Sequence, residues 1–339
     1  MTPLSSLAMS AYTDLVRLLK DDAVSGVEGK PTLKRRAGKA YWYVARRVGT
    51  DTRFIYIGED SDEVRARIDR IEELRDTARQ RQAERSRLVR ILRAEGMTAT
   101  DRATGSILSA MAGAGTFRLG GTVVGTNAFR LYEGELGVRL PLGGMATSND
   151  IDIAQFEKLS IALEDQVDAG LAETFSALKF APVPGLDRGR TWRCAQGGSG
   201  QLVEFLTPAF GNETIRDLPA LGVNAQARNY LNFLIATPVH AAVLYRSGVL
   251  VQIPRPERFA IHKLIIADRR RDGSGSLKSA KDREQAGFLI EALAEDRPDD
   301  LVDAFESAMA VGPQWREHIG SSLERMPEVR SVIEGLVGG

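Results

Sequence analysis

The segment Gly120–Ile153 reads GGTVVGTNAFRLYEGELGVRLPLGGMATSNDIDI, and its two ends decide the fold. Gly121 to Val124 is a short apolar run that closes on Gly125-Thr126. Asn127 to Tyr132 follows as a helix-like segment, then a glycine-broken loop from Gly134 to Ala146. Asp150-Ile151-Asp152-Ile153 alternates acid and β-branched residue, the period of a strand with one buried face. Asp150 and Asp152 then project together, and two adjacent carboxylates repel unless positive charge sits between them. A divalent metal supplies that charge and takes hard oxygen ligands. Gly125-Thr126 lies where a strand enters a helix. Helix N-termini present unpaired N–H groups that suit phosphate, and glycine admits close approach. A solvated strand edge is the competing account of the acidic pair taken alone.

A third carboxylate lies downstream. Gln201 to Leu206 (QLVEFL) alternates as a strand, with Val203 and Phe205 on one face and Leu202, Glu204 and Leu206 on the other. Glu204 is thus an acid among apolar neighbours. Such a carboxylate needs a partner, either a metal or a structural ion pair with Arg193.

Phosphate turn, Asp-x-Asp strand and later acidic strand together resemble the nucleotidyltransferase fold of the DNA polymerase beta superfamily. The motif stands here as Val124-Gly125-Thr126 with Asp150-Ile151-Asp152 and Glu204. Thr126 replaces the usual Gly or Ser, the gap to Asp150 is long, and Glu204 replaces the more frequent Asp. Further on, Pro256-Glu257-Arg258-Phe259-Ala260-Ile261-His262-Lys263-Leu264 and Lys281-Asp282-Arg283-Glu284-Gln285-Ala286 resemble a GSU-type bacterial branch related to minimal and abortive-infection nucleotidyltransferases. That resemblance covers about Gly105 to Leu293. It implies an α+β mixed sheet flanked by helices, with a C-terminal helical domain closing one side of a cleft. It implies transfer of a nucleoside monophosphate from a nucleoside triphosphate to an acceptor hydroxyl. Asp150, Asp152 and Glu204 would be the metal-binding and catalytic set, with Mg²⁺ or Mn²⁺. Gly125 and Thr126 would seat the phosphates, and Lys263 and Lys281 would reach the triphosphate. Solvated helix cations are the other account of those two lysines.

Elsewhere the chain is ordinary for a globular protein. It has 339 residues, 43% hydrophobic and 27% charged, with zero formal net charge, so overall charge names no partner. Cys194 is the only cysteine, which excludes an internal disulfide and fits a cytoplasmic location. His240, His262 and His318 are the only histidines, which argues against a multi-histidine metal centre. No apolar run of about 18 residues and no signal pattern are found, so no membrane partner is expected.

Residues 1–100 differ from the rest. Tyr12, Leu15, Val16 and Leu19 share a helix face within Ser10–Lys20. Eight cations from Lys30 to Arg53 face one acid, Asp51, and are interleaved with Tyr41, Trp42, Tyr43, Phe54 and Tyr56. Ala40–Val48 and Arg53–Ile57 read as a hairpin turning at Gly49-Thr50-Asp51. Basic and aromatic residues on a ribbon suit RNA; a small sheet packed on a helix fits equally. Asp62–Ala94 is a long mixed-charge helix with Ser61 as its cap. Three segments are expected: 1–100, a hairpin and long helix; 101–255, the catalytic domain; and 256–339, the helical domain. The acceptor is RNA held by the hairpin, or else a protein or small molecule. A non-catalytic nucleic-acid-binding or regulatory protein on the same fold is the alternative.

Overall fold

Apolar residues spaced for a helix open the chain. In this computed structural model, which describes residues 1–25, 30–36, 39–48, 51–141, 143, 148, 150–162, 171–184, 190–197, 200–272 and 275–338, they form α1 (Ser6–Ser25). Ala8, Ala11, Tyr12, Leu15 and Leu19 are its buried face. A three-stranded antiparallel sheet follows: β1 (Lys30–Arg36), β2 (Lys39–Val48) and β3 (Asp51–Glu59). The expected hairpin is β2–β3, and its turn residues Gly49 and Thr50 lie outside the described residues. β1, KPTLKRR, is an addition that no apolar alternation announces. α2 (Asp62–Ala94) has the predicted span, and the Ser61 hydroxyl accepts the Val64 N–H at 3.3 Å. Asp22 of α1 ties the two long helices together through Arg81 and Arg85, the latter at 3.0 Å.

The strand pairing identifies the face of the small sheet that meets α2. Trp42 stands opposite Gly58, and a Cβ added at Gly58 would lie 2.8 Å from Val64 of α2. On that face the Trp42 indole N–H donates to Asp60 at 2.9 Å, and Arg65 grips both Asp60 oxygens at 2.9 and 2.8 Å. Pro31 and Ile68 are buried nearby in the fold.

After α3 (Arg102–Gly113), capped by Asp101, the central sheet begins. β4 (Thr122–Val124) leads into α4 (Gly125–Leu136), and β5 (Asp150–Ala154) returns antiparallel to β4. α5 (Glu157–Ala162) and α6 (Leu171–Ala177) follow, and residues 163–170 between them lie outside the described residues. β6 (Phe180–Pro182) and β7 (Arg193–Gln196) pair antiparallel, and β7 joins β8 (Leu202–Pro208). β9 (Ile215–Leu218) and β10 (Val223–Arg228) complete the sheet in the order β4-β5-β8-β10-β9. β5–β8 and β8–β10 are parallel, so the sheet is mixed and the fold is α+β.

α7 (Leu231–Leu234) precedes a hairpin of β11 (Val239–Val243) and β12 (Val249–Ile253), turned through Arg246 and Gly248 at φ 53° and 86°. The helical part is α8 (Pro256–Arg269), α9 (Ser276–Asp296), α10 (Pro298–Val311), α11 (Pro313–Glu324) and α12 (Pro327–Val337). Proline opens four of these, at a position whose N–H has no helical partner anyway. Phe259 of α8 packs on Tyr132 and Phe129 of α4, with ring centroids 5.2 and 6.3 Å away. One apolar core therefore runs from Ile107 to Ile333, and a second gathers α1, α2, Ala242 and Leu244.

The loop expected from Gly134 begins later: α4 continues to Leu136 and ends on Gly137 at φ 68°. Gly134 is a glycine inside the helix because Tyr12 occupies the space a Cβ would need. Tyr12 cannot swing aside, since it is buried and its hydroxyl accepts the Ala242 N–H at 3.2 Å. Gly134→Val should cost roughly 1–3 kcal/mol by overpacking, read as a lowered urea midpoint with an unchanged slope. A midpoint equal to wild type would show that the contact tolerates a side chain.

Candidate functional site

Alternation along β5 buries Ile151 and Ile153 and turns Asp150 and Asp152 the other way, both half-buried. The parallel register sets Asp152 across from Glu204, and β8 alternates in the same sense, burying Val203 and Phe205. All three carboxylates line one cleft of about 430 Å³. Gly125 and Thr126 line it too, because Val124 pairs with Asp152 at the very end of β4. Gly125 takes φ 65°, and a Cβ there would overlap Asp152 Oδ2. Glycine is therefore needed twice, for the left-handed backbone and for the carboxylate above it. No side chain caps α4, so its first-turn N–H groups stay available to an anion. Asn127 was not singled out from sequence; its amide donates to the Asp150 carbonyl at 2.7 Å and fixes the start of β5 to α4.

The carboxylates are short of positive charge. Burial pushes Asp152 up to about 7, and the nearby Glu204 and Asp150 carboxylates add to the rise against Lys263 and Arg270. Glu204 is also raised, first by burial and then by Asp150, with Arg193, Arg228 and Lys278 opposing. Arg193 is the cross-strand neighbour of Glu204, yet it stacks on Trp192 at 4.5 Å and makes no ion pair with Glu204 among the described residues. Among those residues no group of three or more His, Cys, Asp or Glu is closed around a metal position. The donor set nevertheless suits a hard divalent cation: oxygen ligands only, with charge that the protein leaves uncompensated. Asp150, Asp152 and Glu204 could hold it.

The opposite wall, built by α8 and α9, is cationic: Lys263, Arg269, Arg270, Lys278 and Lys281 line the cleft, and Arg228 joins them from the end of β10. Lys263 is 8% exposed and donates to Asp282 at 2.5 Å, and Arg270 holds the other Asp282 oxygen at 2.9 Å. The charge of Lys263 is thus shared with Asp282. Burial and Lys263 push Lys281 down. The four further cations carry no motif of their own; Arg269, Arg270 and Lys278 fall between the two segments already singled out, whereas Arg228 ends a strand, VNAQAR, whose apolar positions are one valine and two alanines. His262 also lines the cleft, with Nδ1 buried and unpartnered. Burial and Lys263 push it down to about 3, so it is a neutral wall residue.

Two pH effects follow from these shifts. Between the ordinary Asp value of 3.8 and about 7, native Asp152 holds a proton that the unfolded chain releases. Its contribution is complete below about pH 4 and is lost as pH rises toward neutrality. Metal-free Asp152→Asn should therefore exceed wild type in stability by more than about 1 kcal/mol at pH 8 and match it near pH 4. Urea unfolding with chelator measures this, and equal stability at pH 8 would contradict the charge deficit. The His262 ring should show no titration shift in NMR spectra between about pH 5 and 8; a midpoint near 6.5 would mean its neutral burial is wrong.

Comparison with known proteins bears on these geometries. No curated protein matches the chain. Residues 12–66 match a family model described as a domain of unknown function, DUF6788. Residues 102–310, which include every cleft residue named above, match a family model described as Nucleotidyltransferase. That match covers more than half of the 339-residue chain, and the protein belongs to this nucleotidyltransferase family, a family of transferase enzymes.

Proposed function

We propose that the cleft transfers the nucleoside monophosphate unit of a nucleoside triphosphate to an acceptor hydroxyl, in the presence of Mg²⁺ or Mn²⁺. The observation that carries this reading is the β5–β8 register, which sets Glu204 level with Asp152 beside the uncapped start of α4. Asp150, Asp152 and Glu204 would hold the metal ions, which when bound supply charge neutralisation and a more acidic acceptor hydroxyl. Gly125 and Thr126 would take phosphate oxygens on backbone N–H groups. Lys281, Lys278 and Arg270 would face the triphosphate, with Lys263 sharing its charge between Asp282 and the ligand. In the step itself the acceptor oxygen bonds to the α-phosphorus, the bond to the bridging oxygen breaks, and pyrophosphate leaves. Glu204 would accept the hydroxyl proton, its basicity raised by burial.

In this reading residues 1–100 serve the acceptor, 101–255 the chemistry, and 256–339 the closing wall. The GSU-type affinity rests on the motifs at Pro256–Leu264 and Lys281–Ala286. The need for nucleoside triphosphate and the lone Cys194 both fit the cytoplasm.

The test is incubation of the protein with each α-labelled NTP, Mg²⁺ and a cell extract. Label should enter one macromolecule or small molecule, and Asp150→Ala with Asp152→Ala should lower uptake by about 10³ or more while the circular dichroism spectrum is unchanged. Calorimetry with Mn²⁺ and nucleotide should lose its binding heat in the same variant. Undiminished labelling in the double variant would overturn the carboxylate assignment. No labelling with any NTP would favour a non-catalytic binding protein.

A further inference from the structure

The small N-terminal sheet has a second face that the fold leaves unexplained. Residues directly opposite one another in neighbouring strands share a face. Trp42 and Gly58 are on the α2 side, so Thr32 and Tyr43, a matched pair one residue along, are on the other. Lys34 belongs with Thr32, and Phe54 stands opposite Ala45, which shares the Tyr43 face. The side chains bear this out: Lys34 Nζ lies 3.0 Å above the Phe54 ring centroid and 5.4 Å from that of Tyr43. Phe54 is 46% exposed, and Lys30, on the same face of β1, is exposed as well.

A sheet built only to pack on α2 would put its rings inward. Trp42 does so, with its N–H held by Asp60, and it is therefore a tie between sheet and helix rather than a stacking surface. Phe54 does the opposite. It holds a large aromatic face toward solvent under an ammonium group, within the stretch that carries eight Lys and Arg against one acid. An exposed ring beneath a lysine ammonium offers two contacts at once. The ring can stack on an unpaired base, and the cation can move to the adjoining phosphate. A duplex hides its base faces and would use only the charge.

We infer that this outer face, Lys30, Lys34, Tyr43 and Phe54, is a binding platform for single-stranded nucleic acid. If the transfer reaction proposed above holds, that strand is the acceptor; binding to the platform does not itself depend on the cleft.

Fluorescence anisotropy of the full-length protein, without NTP, tests this with a labelled 12-mer RNA, a DNA of the same sequence and the corresponding duplex across a salt series. Phe54→Ala should weaken single-strand binding about 5- to 150-fold, matching roughly 1–3 kcal/mol of stacking, and Phe54→Trp should retain it. Lys34→Ala should reduce the slope of log K against log salt by about one contact. Asp150→Ala with Asp152→Ala should bind as wild type, which separates this site from the catalytic one. Equal affinity for RNA and DNA, or a preference for RNA, supports the platform. Undiminished binding by a folded Phe54→Ala protein, duplex binding as tight as single-strand binding, or no strand binding at about 50 mM salt would each overturn it.

Discussion

The close approach of one carboxylate oxygen to one glycine sets the geometry at the centre of the cleft. Asp152 Oδ2 fills the space beside Gly125 where any other residue would carry its Cβ. Because Gly125 is also the first residue of α4, the contact joins the acidic strand to the start of the helix. The register of β4 on β5 places Val124 against Asp152, and that of β5 on β8 places Glu204 on the same level. Asn127 reaches back from α4 to the Asp150 carbonyl and locks the strand from its other side. A shift of β5 by one residue would send both aspartates into the core and both isoleucines into the cleft. The apolar face of β5 therefore enforces the acidic one.

The cationic wall rests on a different constraint. Lys263 of α8 and Asp282 of α9 are both buried and meet in one ion pair. Asp282 is held in the carboxylate form against its burial by Lys263 and Arg270. This pairing gives the lysine at the cleft lining a carboxylate partner. His262, also on the cleft lining, stays neutral and adds no repulsion.

Much of this was legible in the chain because strands and long helices write their periods openly. Asp150, Asp152 and Glu204 sat at alternate positions among β-branched and aromatic residues, and their common cleft followed from that. α2 was readable to the residue, since Ser61 caps it and no glycine or proline interrupts it. Elements with a weak apolar signal were missed. β1 is almost wholly polar or basic, β9 has only four residues, and β10 alternates on one valine and two alanines, residues too small to mark a strand. Gly134 looked like a loop because its cause, Tyr12, lies 122 positions away in sequence. The Lys263–Asp282 bond joins two helices across a glycine-serine linker, and nothing local to either residue signals it. Trp42 and Phe54 looked alike as aromatics; only strand register sent one inward and the other out.

The hairpin β11–β12 belongs to both halves of the protein at once. Ala241 and Val243 face the main core, while Ala242 and Leu244, their alternates along the same stretch, face the core made by α1 and α2. A partition wall of this kind cannot lose one neighbour quietly. If α1 and α2 came away, apolar side chains on one side of the wall would meet water, and the strand would gain a reason to leave the other side. Melting of the N-terminal helices and of the catalytic core should accordingly be tied into a single cooperative unit.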